Sequence, residues 1–138
     1  METNRKKTED YILTGREKDI LTILWNSEQG LIASEVVTKG KPEDNLTINT
    51  VQAILKKLLR RELIKIDQIV YSGTVLSRSY VPTLTEAEFE TQKITAEINE
   101  LERFGITPAM YFAKFFSENK VKLSNEEAEE LKKLIEEK

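Results

Sequence analysis

The 138-residue sequence contains no cysteine and no histidine. The first absence excludes disulfides, thiolate nucleophiles and zinc fingers, and the second excludes a Ser-His-Asp triad. A metal would have to be held by carboxylates alone, and no spaced acidic loop of the calcium-binding kind is present. The five glycines form no phosphate-cradling loop. Neither catalysis, a metal nor a cofactor is therefore expected. Long apolar runs are missing too: nothing approaches the roughly 18 residues that a membrane span needs. Charged residues between Met1 and Asp10 leave no apolar segment of the secretory kind. The expectation is a cytoplasmic protein without membrane contact.

What is present suits a helix-rich globular chain, with 39% hydrophobic and 33% charged residues. The length allows one domain, or a small domain with an extension for dimerisation. A net charge of −3 argues against a nucleic-acid partner, but the charge is unevenly placed. Residues 1–82 carry a net +2 and residues 83–138 a net −5, and within 46–82 six basic residues face two acidic ones. A basic segment beside an acidic half fits a nucleic-acid module joined to a part that stays off the nucleic acid. Ordinary solvated charge is the alternative.

Thr14 and Glu17 form a capping box ahead of an apolar stretch that includes Ile20, Leu21, Ile23, Leu24 and Trp25. This predicts a helix over 15–27 that stops near Gly30, with Trp25 in the core. Leu31 and Ile32 form a short extended pair before a second helix over 34–38, with Val36 and Val37 facing inward. Residues 39–45 (KGKPEDN) read as a loop.

Thr47 caps a third helix over 48–62, in which Val51, Ile54, Leu55 and Leu58 follow the i, i+3, i+4, i+7 spacing of a buried stripe. Its outer face carries Asn49, Thr50, Gln52 and Ala53 near the start and Lys56, Lys57 and Arg60 toward the end. Asn and Gln can pair with adenine edges, and Ala or Thr methyls can pack on thymine. Asn49, Thr50, Gln52 and Ala53 are thus candidate base-reading residues; Thr47, Lys56, Lys57 and Arg60 are candidate phosphate contacts. A solvated amphipathic helix would look similar.

Residues 63–70 (LIKIDQIV) and 75–81 (VLSRSYV) read as two strands, with Tyr71, Ser72 and Gly73 supplying a turn and Pro82 an end. Three helices followed by a β-hairpin is the winged-helix order. Arg78, and with less support Lys65, are candidate phosphate contacts from the hairpin.

Thr50–Ile64 (TVQAILKKLLRRELI) resembles the third-helix signature of the penicillinase-repressor and copper-repressor family of winged-helix transcriptional regulators. Arg16–Val37 resembles that family's first two helices, and Arg78, Tyr80 and Pro82 match its Arg-x-Tyr-x-Pro strand. Glu62 stands where the family usually has glycine. The resemblance implies a homodimeric repressor on double-stranded DNA with an inverted-repeat operator, controlling resistance or stress genes such as those of the β-lactam response. A sensor protease is a further partner that it admits. Copper-responsive members sense metal through cysteine pairs, which this chain lacks. The β-lactam-responsive members are cut at an Asn-Phe bond; the matching stretch here is Ala113-Lys114-Phe115-Phe116.

In the second half, Thr85 and Glu88 form another capping box for a helix over 86–103 with Phe89, Ile94, Ile98 and Leu101 as its apolar residues. Gly105 breaks it and Thr107-Pro108 restarts a helix. That helix holds Met110, Tyr111, Phe112, Phe115 and Phe116, and a last one holds Leu131, Leu134 and Ile135. About 55 residues bury little on their own, so Phe89, Ile98, Leu101 and these eight residues are candidate dimerisation contacts across a two-fold axis. Folding back on the first half, or lining an aromatic ligand pocket, are the alternatives. The expected fold is mainly α with a small β-hairpin: an N-terminal winged helix-turn-helix over 1–82, then a helical dimerisation region over 83–138. A winged-helix module used only for protein–protein contacts is the alternative function.

Overall fold

A computed structural model describes residues 7–119 and 122–136. The chain is mainly helical, with a two-stranded antiparallel hairpin after the first three helices, as the pattern predicts. It divides into two compact units between Ala96 and Glu97.

Helix α1 (Gly15–Trp25) starts where the capping box predicts. The Thr14 hydroxyl accepts from the Glu17 amide at 3.1 Å and the Glu17 carboxylate accepts from the Thr14 amide at 2.9 Å. Helix α2 (Ala33–Lys39) and helix α3 (Ile48–Arg60) follow. Ile20, Leu21, Leu24, Val36, Val51, Leu55 and Leu58 from these helices meet in one core. Each buried Leu or Ile of this kind contributes about 1.5–3 kcal/mol.

Helix α3 ends in a Schellman motif: the Leu63 amide donates to the Leu58 carbonyl and the Glu62 amide to the Leu59 carbonyl, both at 3.0 Å. The motif puts Glu62 in the left-handed region, at φ 64°. Glycine adopts that conformation freely, whereas a residue with a Cβ does so at a cost of about 1–2 kcal/mol. The glutamate at this place is therefore a strained stop.

Strands β1 (Ile64–Ser72) and β2 (Val75–Pro82) form the hairpin. Tyr71 and Ser72 remain in β1, because Gly73, at φ 68°, supplies the one positive φ that the two-residue turn needs. The extended Leu31 pairs with Tyr80, which adds a one-residue third strand: Leu31 amide to Tyr80 carbonyl 3.1 Å, Tyr80 amide to Leu31 carbonyl 2.9 Å. The register slips between Ile66 and Gln68, which leaves Asp67 as the extra residue of a bulge.

Helix α4 (Glu86–Glu100) brings Phe89 into the core of this first unit. Phe89 is 1% exposed, its ring 5.5 Å from those of Tyr11 and Trp25. This corrects its assignment to a subunit interface: the aromatic pair on the N-terminal segment and α1 already covers it. Trp25 Nε1 donates to the Leu84 carbonyl at 2.9 Å and the Tyr11 hydroxyl donates to Gln92 Oε1 at 3.0 Å, so both ends of this contact are tied. Burial, then Asp10, pushes the Tyr11 hydroxyl above its ordinary pKa, which keeps it a neutral donor.

In the second unit, a 3₁₀ turn at Leu101–Phe104 closes on Gly105. Helix α5 (Pro108–Asn119) follows, its Met110 amide held by the Thr107 hydroxyl at 3.1 Å. Helix α6 (Asn125–Glu136) is capped by Ser124 and Glu127.

Candidate nucleic-acid interface

The outer face of α3 and strand β2 of the hairpin enclose an open groove. Asn49, Gln52, Ala53, Lys56, Lys57 and Arg60 line it from α3; Leu76, Ser77, Arg78 and Tyr80 line it from β2. Helix α3 presents this set because Val51, Leu55 and Leu58 anchor the opposite face in the core. The Thr47 cap fixes its first turn, its hydroxyl accepting from the Thr50 amide at 3.2 Å.

The electrostatics of the groove are one-sided. Among the described residues no acidic side chain lines it. Among the described residues, Lys56, Lys57, Arg60 and Arg78 take part in no ion pair; the five pairs present involve other side chains. Unpaired cations converging from two elements repel one another and favour an anion between them.

Most of the expected contact residues are brought together, but three are placed apart. Thr50 is half-buried beside the cap, and its hydroxyl accepts from that of Thr47 at 3.0 Å. Thr47 itself is exposed at the helix start, outside the groove wall. Lys65 pairs with Val81, whereas Arg78 pairs with Ile69. Directly opposed residues share a side of the ribbon and successive residues alternate. Lys65 therefore lies on the side away from Arg78 and the groove.

Arg61 has a role that the sequence reading did not assign. Its guanidinium donates to the Asp10 carbonyl at 2.8 Å and to Glu17 Oε1 at 3.4 Å. Glu17 is 5% exposed, so the end of α3 is clamped to the start of α1 through a buried carboxylate. The basic run from Lys56 to Arg61 thus splits between groove and scaffold according to helical phase. That phase was the available signal.

In the second unit the aromatic residues of α5 form a ladder. Tyr111 stacks on Phe115 and Phe112 on Phe116, both at 6.4 Å between ring centres, and Phe115 meets Phe116 edge-on at 5.7 Å. Phe112, Phe115, Met110, Leu131 and Leu134 are exposed, Leu101, Tyr111 and Phe116 half-buried, and Ile98 buried. The side chain of Ile135 lies outside the described residues.

Among the described residues no helix is long and apolar enough to cross a membrane, and no group of carboxylates is placed to hold a metal ion. No individually curated protein sequence matches the chain. The model of the penicillinase repressor family matches residues 13–137, from just before α1 to the end of α6. With the three-helix-and-hairpin order, this coverage assigns the chain to the penicillinase repressor family, a family of transcriptional repressors.

Proposed function

We propose that the chain binds double-stranded DNA as a homodimer and represses transcription by occupying an inverted-repeat operator. The observation that carries this reading is the groove in which Lys56, Lys57, Arg60 and Arg78 converge unpaired around Asn49, Gln52 and Ala53 with no acid present. Helix α3 lies in the major groove, with Asn49, Thr50, Gln52 and Ala53 toward the base edges and the cations, with Thr47, toward phosphates. Lys65, on the other side of the hairpin, is the weakest of these assignments. The exposed ladder of α5, together with Leu131 and Leu134, forms the contact between two copies. Two-fold symmetry then sets the α3 helices about 34 Å apart, one turn of DNA. The acidic second half, free of DNA, fixes that spacing. The family's name points to resistance genes such as those of the β-lactam response as the controlled set, and a sensor protease would be one route to release.

The test is selection of duplexes from a randomised pool by the full chain, followed by fluorescence anisotropy at several salt concentrations. Enrichment of an inverted repeat binding two chains, with affinity falling steeply as salt rises, is the expected result. Gln52→Ala should relax base preference, while Lys56→Ala weakens specific and scrambled duplexes alike. A pool that enriches nothing, with no binding even at low salt, would leave the winged unit a protein-contact module.

A further inference from the structure

We infer that the groove between α3 and β2 also binds a small effector, an aliphatic carboxylate, which displaces the duplex by occupying the same cations. This rests on the DNA-binding reading above and adds a means of release. A duplex uses the polar part of the groove, with phosphates on Lys56, Lys57, Arg60 and Arg78 and base edges on Asn49 and Gln52. The rest of the lining is apolar and includes Ala33, Leu55, Leu59, Leu76 and Tyr80. Leu55 is buried and Ala33, Leu59 and Tyr80 are half-buried, whereas the four cations are exposed. The groove thus has a cationic rim over a mainly apolar floor, with Leu76, 59% exposed, as an apolar wall. A phosphodiester strand gains nothing from that floor, because its charged oxygens lose water against it.

The lining selects the occupant. Leu76, Arg78 and Tyr80 alternate along β2 and share a side of the strand, so an apolar group stands on each side of the Arg78 guanidinium. On α3, Leu59 adjoins Arg60, and Lys56 lies one turn before it. A carboxylate fits the planar forks of Arg78 and Arg60, and an alkyl tail lies along Leu59, Leu76 and Tyr80. A neutral apolar ligand would leave the cations repelling one another, and a bare anion would leave the floor in water. The volume, about 840 Å³, falls within the range of small-molecule clefts. Other grooves lack this pairing of charge and apolar surface. The cleft lined by Glu28, Glu35 and Asp67 holds no cation, and the one along α6 has three glutamates to one lysine. On the aromatic helix α5, Lys114 is already paired with Glu118 at 3.5 Å. Neutralising the rim removes the attraction for phosphates, so the repressor leaves its operator uncut.

The test titrates the full chain with laurate below its micelle concentration, by calorimetry, and then repeats the anisotropy measurement on the selected duplex with laurate present. Saturable binding of one laurate per chain is expected, and laurate at ten times its Kd should weaken duplex binding at least about tenfold. Decanoate should bind about tenfold less tightly than laurate, since two methylenes fewer are buried. Dodecanol and dodecyltrimethylammonium, which lack the anion, should not compete with the duplex. Leu76→Ser, at an exposed position that the fold tolerates, should flatten the dependence on chain length. Arg78→Ala should weaken laurate about tenfold, and circular dichroism melting checks that both variants are folded. If wild type binds the duplex but takes up no laurate, or keeps the duplex with laurate bound, this inference falls and the repressor reading stands. Equal competition by dodecanol or by the ammonium compound would mean non-specific adsorption and overturn it. Loss of laurate binding in Phe112→Ser, Phe115→Ser, but not in Leu76→Ser, would move the ligand to α5 and overturn it as well. Failure of wild type to bind any selected duplex would remove the repressor reading and this release route together.

Discussion

The two compact units are built from similar short amphipathic helices, yet one buries the apolar stripes of its helices and the other leaves most of its own exposed. In the first, Val51, Leu55 and Leu58 from α3, Ile20, Leu21 and Leu24 from α1, and Phe89 from α4 are all essentially inaccessible. In the second, Ile98 is buried, whereas Met110, Phe112, Phe115, Leu131 and Leu134 remain exposed. Sequence hydrophobicity does not explain this, since α5 is the most aromatic helix of the chain. The difference lies in closure. The first unit has a hairpin and a third helix to complete a layer over its core; a few short helices over roughly 40 residues have too much surface for their volume. An amphipathic helix with no layer above it is an interface in waiting, and a second copy is the simplest cover.

Variants that act on one unit and spare the other would sharpen this contrast, and those that do not would break it. The largest effect is expected from Leu55→Ala, which opens a cavity under the outer face of α3. Urea unfolding should show a loss of about 3 kcal/mol, with self-association of the remaining folded protein unchanged. The paired substitution Phe112→Ser, Phe115→Ser should do the reverse. Sedimentation equilibrium should show the monomer favoured by about thirtyfold, or about 2 kcal/mol, while the unfolding of the winged unit stays put. Undiminished association would move the contact off α5.

Smaller changes test how the first unit is closed. Arg61→Ala removes both bonds that tie α3 to Asp10 and Glu17, leaving the Glu17 carboxylate with the Thr14 amide. A loss of about 1–2 kcal/mol is expected, with DNA affinity little changed if Arg61 belongs to the scaffold. A tenfold loss of DNA affinity at unchanged stability would instead put Arg61 in the interface. The smallest effect concerns Glu62, held at φ 64°. Glu62→Gly relieves the left-handed strain, and after the extra backbone entropy of glycine it should gain about 0.5 kcal/mol in thermal unfolding. A loss of stability would mean that the Glu62 side chain contributes more than the strain costs.

Much of this was legible in the residues because it is local. Capping boxes at Thr14-Glu17, Thr85-Glu88 and Ser124-Glu127 join groups three residues apart, and the sequence displays both partners. The Val51–Leu58 stripe fixes which face of α3 is buried, and by subtraction puts Asn49, Gln52, Lys56 and Arg60 outward. Gly73 marks the hairpin turn to within a residue or two. Lys65 and Arg78 lie on opposite sides of the hairpin for an instructive reason: strand alternation gives a side only if the phase is unbroken, and the bulge at Asp67 shifts it. A single inserted residue leaves no mark in composition.

The sequence by itself therefore determined the order of elements, the capped helix starts, the inward face of α3 and the basic character of its outer face. Each depends on spacings within about one or two helical turns, which the chain carries as it is written. Tertiary structure alone decided that Phe89 fills the core beside Tyr11 and Trp25, that Arg61 serves α1, and that Leu31 joins the sheet through Tyr80. It also decided that Arg78 and the α3 cations face one groove while Lys65 does not. These are contacts across distant parts of the chain, 44 residues for Arg61 with Glu17 and 81 for Tyr11 with Gln92. Such partners are chosen by which surfaces packing brings together, and no local pattern encodes that choice.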